Sequence, residues 1–214
     1  QGLVDVIFKK FNKIGYVNAS QNWDTWNKIV NSLQNEGTPI NIAMAGQYVT
    51  LADSYVSVNH ALKHAAAVIG KKITIDWIDS ENINGNVDTL SKYNGILVPG
   101  GFGTRGSEGI INTSNFAREN NILSIIDGAH IPGHFPLNLN LLKPDIYVGA
   151  CHKWLLCPKG VSFLYVDKKY QDNIDPLIIS WGYESDYPSH SKFQDYHLWQ
   201  GTRDISPYLT ISDA

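Results

Sequence analysis

Residues 95–106 read Gly95-Ile96-Leu97-Val98-Pro99-Gly100-Gly101-Phe102-Gly103-Thr104-Arg105-Gly106. A short, wholly apolar run opens the stretch, as in a strand buried on both faces. A glycine-rich loop follows at once, and a helix is predicted over roughly 108–120. Ile122, Leu123, Ile125 and Ile126 make the next strand, which ends at Asp127. Upstream, Ile40, Ile42 and Met44 alternate into Gly46, and Ile73, Ile75 and Trp77 alternate as another strand. Between them Tyr55, Val58, Leu62, Ala65, Ala66 and Ile69 form a helical face closed by Gly70. Residues 145–149 and 162–166 are further strands. Strands alternating with helices imply an α/β fold: a three-layer, mostly parallel open sheet with helices on both faces. Before the sheet, Trp23, Trp26, Val30 and Leu33 share a helical stripe, with Ser20 as N-cap and Gly37 as stop. Trp23 and Trp26 read as core packing. The aromatic, polar tail from 181 to 214 reads as loops and short elements.

The chain has 214 residues, enough for one large domain or two small ones. Its composition is an ordinary globular mixture, which excludes disorder, collagen-like repeats and long coiled coils. The apolar runs are strand-sized, so no membrane span is expected. A net charge of −3 without a lysine or arginine block argues against nucleic-acid binding. Cys151 and Cys157 are too few for a disulfide scaffold, and the default compartment is the cytoplasm. The chain starts at Gln1, without an initiator methionine or signal peptide, which reads as a piece of something longer.

Ligands of open α/β sheets sit beyond the carboxyl ends of the strands. Gly46, the loop 100–106 and Asp127-Gly128-Ala129-His130 all fall there. Cys151-His152-Lys153-Trp154 follows the strand at 145–149. One shared cleft is therefore allowed. The loop could hold an anion on its backbone N–H groups. His130 and His134 are four apart, but Pro132 and Gly133 break any helix between them, so no metal site is expected.

The front of the chain resembles CTP synthase, from the linker before its glutamine amidotransferase domain into that domain. The stretches that carry the resemblance are 41–49, 53–58, 61–65, 77–81, 95–106 and 116–120. The resemblance implies that Gly100, Gly101, Phe102 and Gly103 form an oxyanion-type loop for glutamine hydrolysis. A cysteine in a Gly-x-Cys-x-Gly elbow should end the next strand in that family. Here that strand ends in Asp127-Gly128-Ala129-His130, and no such elbow occurs anywhere. Gln47 also stands where the family usually has lysine. Without a thiolate no thioester forms, so glutaminase activity is not expected.

The rear resembles the class V pyridoxal-phosphate (PLP) aminotransferases, nearest to the isopenicillin N epimerase branch. The stretches are 126–134, 144–145, 151–154, 158–166, 180–182 and 199–204. The resemblance implies that Lys153 attaches PLP covalently and then moves the proton at the substrate's α-carbon. It implies that Asp127 pairs with the pyridinium nitrogen and that His130 and His152 line the cofactor site. Gly201 and Thr202 resemble the segment that reaches a neighbouring subunit's cofactor phosphate, which calls for a homodimer. The family's main phosphate cup and its small C-terminal domain have no counterpart here.

The expected organisation is thus an incomplete amidotransferase-like segment over 1–121 and an incomplete PLP-domain segment over 122–214. Three functions stay open: a mosaic with a remnant Lys/Asp half-site, a PLP-dependent aminotransferase or epimerase acting on an amino acid, and a non-catalytic interaction module.

Overall fold

The apolar alternations become six strands: β1 (Pro39–Gly46), β2 (Lys72–Asp79), β3 (Gly95–Val98), β4 (Leu123–Asp127), β5 (Ile146–Ala150) and β6 (Ser162–Val166). They form one sheet in the order β2-β1-β3-β4-β5-β6. β1 with β3, β3 with β4, and β4 with β5 pair in parallel, whereas β6 runs antiparallel to β5. All four residues of β3 are buried, as their unbroken apolar character predicts. The three-layer α/β architecture with a mostly parallel sheet is the one expected. The structure, a computed structural model, describes residues 3–11, 20–34, 37–51, 53–83, 86–101, 103–187 and 191–214. Phe102 and the side chains of Ser20 and Trp23 lie outside the described residues.

The chain divides into two compact units, Gln1–Pro39 with His60–Lys72, and Ile40–Asn59 with Ile73–Ala214. The smaller unit holds α1 (Leu3–Lys10), α2 (Ser20–Leu33) and most of α3 (Val56–Val68). α3 closes as its sequence predicts. Lys71 N donates to Ala66 O and Gly70 N to Ala67 O, with Gly70 at φ 64° in the left-handed region. The stripe on α2 corrects an expectation: Trp26 is 61% exposed, and Val30 and Leu33 are exposed beside it. Among the described residues of this unit only Ala66 and Ala67 are buried apolar side chains, so the stripe has no core of its own to enter.

The larger unit carries the sheet. α4 (Ser107–Glu119) packs on it through Gly109, Thr113, Phe116 and Ala117, a spacing of one helical face. α4 passes into β4 through a second closed helix end. Ile122 N donates to Ala117 O, and Asn121 takes the left-handed position at φ 54°. α5 (Leu139–Leu142) is a single turn capped by Asn138, and α6 (Lys192–Leu198) and α7 (Ser206–Leu209) are the short elements expected of the tail. One core cluster contains Ala43, Ala45, Ile96 and Val98 from β1 and β3, Phe116 and Ala117 from α4, Ile126 from β4 and Tyr147 from β5. Residues before and after the joint between α4 and β4 therefore bury apolar surface in the same core. No helix among the described residues is long and apolar enough to cross a membrane.

A buried carboxylate ties β4, β5 and the end of β6 together. Asp145 Oδ2 accepts from Ser124 N at 2.8 Å and from Ser124 Oγ at 3.1 Å. Its Oδ1 pairs with Lys169 Nζ at 2.8 Å, and its own carbonyl accepts from Asp167 N. Replacing it strands a buried N–H. Asp145→Ala is expected to cost about 2–3 kcal/mol of unfolding free energy. A lowered urea midpoint at unchanged slope would show it, and a midpoint equal to wild type rejects the role.

Candidate active site

Asp127 is the last residue of β4. Its Oδ1 accepts from Ala129 N at 3.1 Å, which turns the chain sharply after the strand. The other side of the carboxylate faces the glycine loop: a Cβ added to Gly100 would lie 2.8 Å from Asp127 Oδ2. Only a residue without a side chain allows this approach. Two further turns follow, with Ile131 N donating to Gly128 O and His134 N to Ile131 O.

These turns lay residues 130–134 against the loop after β5. Gly133 makes that contact possible, because its φ is 78° and a Cβ there would sit 2.6 Å from Leu155 N. His134 stacks on Trp154 with ring centroids 4.5 Å apart. Trp154 Nε1 donates to His130 Nδ1 at 3.2 Å, and Lys153 Nζ lies 3.1 Å from His130 Nε2.

The indole is a donor only, and so is the Lys153 ammonium, so the two compete for the one acceptor nitrogen of a neutral His130 ring. Burial holds the His130 pKa below the ordinary histidine value, and the ammonium charge of Lys153 lowers it further. Asp127 acts in the opposite direction on the same ring. Burial, then the Asp127 charge, pushes the Tyr147 phenol up to about 12, so Tyr147 stays a neutral donor to Gly128 O.

Beyond the ends of β1, β3 and β4 lies a cavity of about 670 Å³. Asp127, His130 and His134 line it, together with Gly101 and Gly103 of the glycine loop. Gln47, which follows β1, is buried in the same wall. Its Nε2 donates to Arg105 O, and its Oε1 has no hydrogen-bond partner. Arg105 in turn grips Asp79 Oδ2 at 3.2 Å and Glu81 Oε2 at 3.1 Å.

The structure brings Asp127 and His130 into one cavity wall, while Lys153 lies outside the wall and reaches the histidine. It does not turn His152 the same way, because His152 Nδ1 is engaged by Val161 O at 2.8 Å. Gly201 and Thr202 lie in the tail and are not part of the cavity wall. Cys151 and Cys157 are buried with Val161 in a separate cluster, and burial pushes the Cys151 thiol pKa up. Among the described residues no group of three or more histidine, cysteine or acidic side chains could hold a metal ion. Sequence reasoning missed Trp154 and the unpartnered oxygen of Gln47. The only signals were that Trp154 adjoins Lys153 and that Gln47 departs from the family pattern.

Two family models match the chain. "Glutamine amidotransferase class-I" covers residues 50–125, and "Aminotransferase class-V" covers 105–207. The chain joins a stretch similar to one family with a stretch similar to the other. A CTP synthase of Staphylococcus epidermidis is 48% identical over 101 residues, which is 46% of this chain and 19% of that protein. A CTP synthase of Pelotomaculum thermopropionicum is 41% identical over 124 residues, 57% of this chain and 22% of that protein. The mosaic therefore spans about a fifth of the length of these relatives. The apo cysteine desulfurase of Thermococcus onnurineus NA1 superposes with a TM-score of 0.61 at 16% identity, covering 86% of this chain and 47% of that one. That likeness is one of fold. Residues 105–125, α4 and the start of β4, match both family models.

The His130 environment has a measurable consequence. In an NMR pH titration His130 is expected to protonate below the value of an exposed histidine. Lys153→Met removes a cation and is expected to move the midpoint upward. A downward or null response would contradict the assigned contact.

Proposed function

We propose that the mosaic does not hydrolyse glutamine and keeps a PLP half-site built from Lys153, His130 and Asp127. The observation that supports it is the Lys153–His130 contact at 3.1 Å, beside the aspartate that ends β4. These residues fit one end of the cofactor. Lys153 offers the amine that an aldehyde requires, and His130 can hold the proton that the amine must lose. Asp127 offers a negative charge for a protonated ring nitrogen. The cofactor, when bound, supplies an electron sink for chemistry at an amino acid's α-carbon. The phosphate end has less to hold it, since no lysine or arginine lines the cavity among the described residues. That contrast is why the reading is a remnant half-site. Any turnover would be on a small amino acid in the cytoplasm. It would need a homodimer, in which Gly201 and Thr202 reach the neighbour's cofactor phosphate.

The loss of glutaminase activity rests on the cysteines. Thioester chemistry needs an accessible thiolate beside the oxyanion loop. The sequence has only Cys151 and Cys157, both buried in a cluster with Val161, and burial favours the Cys151 thiol.

Two measurements test the proposal. Adding PLP to the purified chain is expected to give an absorption band near ~420 nm that Lys153→Ala removes. A spectrum equal to free PLP overturns the half-site. Ammonia release from glutamine is expected to stay at the buffer rate, and enzyme-dependent release overturns the other part.

A further inference from the structure

The cavity has a chemistry of its own. Between β1 and β3 the strand order reverses direction, and open α/β sheets take ligands in that crevice. A volume of about 670 Å³ is in the usual range for small-molecule sites. One part of the wall comes from the front segment, with Ile110 and Ile111 of α4. The other comes from the rear, with Ile131, Phe135 and Leu141. Ile110 and Ile111 lie in the stretch that both family models match, whereas Gln47, Gly101 and Gly103 of the same wall lie before the aminotransferase match.

The polar groups are concentrated around the glycine loop. Asp127 Oδ2 adjoins Gly100, and Gln47 Oε1 adjoins the next residue, Gly101. Both are acceptors. Gln47 is 6% exposed, its amide nitrogen is committed to Arg105 O, and its oxygen has no donor. A buried acceptor without a donor is a standing cost that a ligand N–H would remove. Among the described residues Asp127 is the one formal charge in the wall, and Lys153 meets the wall only through His130. His130 lines the same wall, and its depressed pKa keeps it neutral at neutral pH. α4 begins at Ser107 in the wall, and its positive dipole end disfavours a cation at that side. A positive head group is therefore directed to Asp127 and away from α4.

We propose that this cavity binds a small apolar primary amine. The ammonium donates to Asp127 and Gln47 Oε1, and the hydrocarbon or aryl body packs among Ile110, Ile111, Ile131, Phe135 and Leu141. An anion would face the Gln47 oxygen and the Asp127 carboxylate. A neutral alcohol could serve Gln47 but would leave the Asp127 charge without a counter-ion. The proposal goes beyond the PLP half-site and needs no cofactor.

Isothermal titration of the PLP-free full chain with three ligands of one shape tests it: 4-phenylbutylamine, 4-phenylbutan-1-ol and 4-phenylbutyrate. The amine is expected to bind at least about tenfold more tightly than either other probe. Asp127→Asn is expected to bring the amine down to the level of the alcohol. Ile111→Trp and Leu141→Trp, at wall positions 56% and 74% exposed, should fill the cavity and abolish binding at an unchanged thermal melt. Equal binding of the three probes, or amine binding that survives a folded filling variant, overturns the site. Should both filling variants unfold, the comparison of the three probes decides alone. A missing PLP band leaves these titrations untouched, so the two proposals fail separately.

Discussion

Four residue pairs along β3 and β4, from Gly95 with Leu123 to Val98 with Ile126, are the ladder on which the rest depends. β3 lies where only the amidotransferase model matches, and along β4 that match gives way to the aminotransferase one. Their parallel register fixes where each strand ends, and so fixes which loop follows at which height. Val98 beside Ile126 places Pro99 and Gly100 level with Asp127. The approach of Gly100 to that carboxylate follows from this register. Side-chain burial then secures it, because Ile96, Val98 and Ile126 share one cluster with Phe116 and Tyr147. Buried apolar area of this kind is the main favourable term in folding, whatever the ancestry of the residues that supply it.

The sheet was largely legible in the sequence because its signals are local. β3 and β6 fall on the predicted bounds, where apolar runs meet glycine, proline or aspartate. The 3-10 turns at Ser80–Ile83 and Val87–Lys92 were not legible, since elements so short show no period. The stripe of α2 was seen, but amphipathicity names an apolar face without naming what covers it. Trp26 is exposed for that reason.

The site was legible only as far as motifs reach. Lys153 and Asp127 were recognisable by type and by setting. That Lys153 turns to His130 while His152 turns to Val161 is set by the fold of one loop, and adjacent residues gave no warning of it. His130 meets both Lys153 and Trp154, 23 and 24 positions away, through a contact that Gly133 permits. The unpartnered oxygen of Gln47 exists because Gly101 comes close to it and brings no donor side chain. Such facts belong to pairs of loops and have no one-dimensional trace.

The end of α4 has a bearing on how such a chain can arise. It closes with backbone hydrogen bonds, Ile122 N to Ala117 O and Asn121 N to Arg118 O, around one left-handed asparagine. That closure asks little of side chains beyond two asparagines, Asn120 donating from Nδ2 to Phe116 O and Asn121 taking the left-handed position. The region that matches both families covers this joint. A crossover here leaves the connector intact whichever strand is attached, provided its first residues are apolar. The molecule is interchangeable at a point where two lineages need to agree on little more than main-chain geometry, and the burden of compatibility passes to the cavity walls beyond.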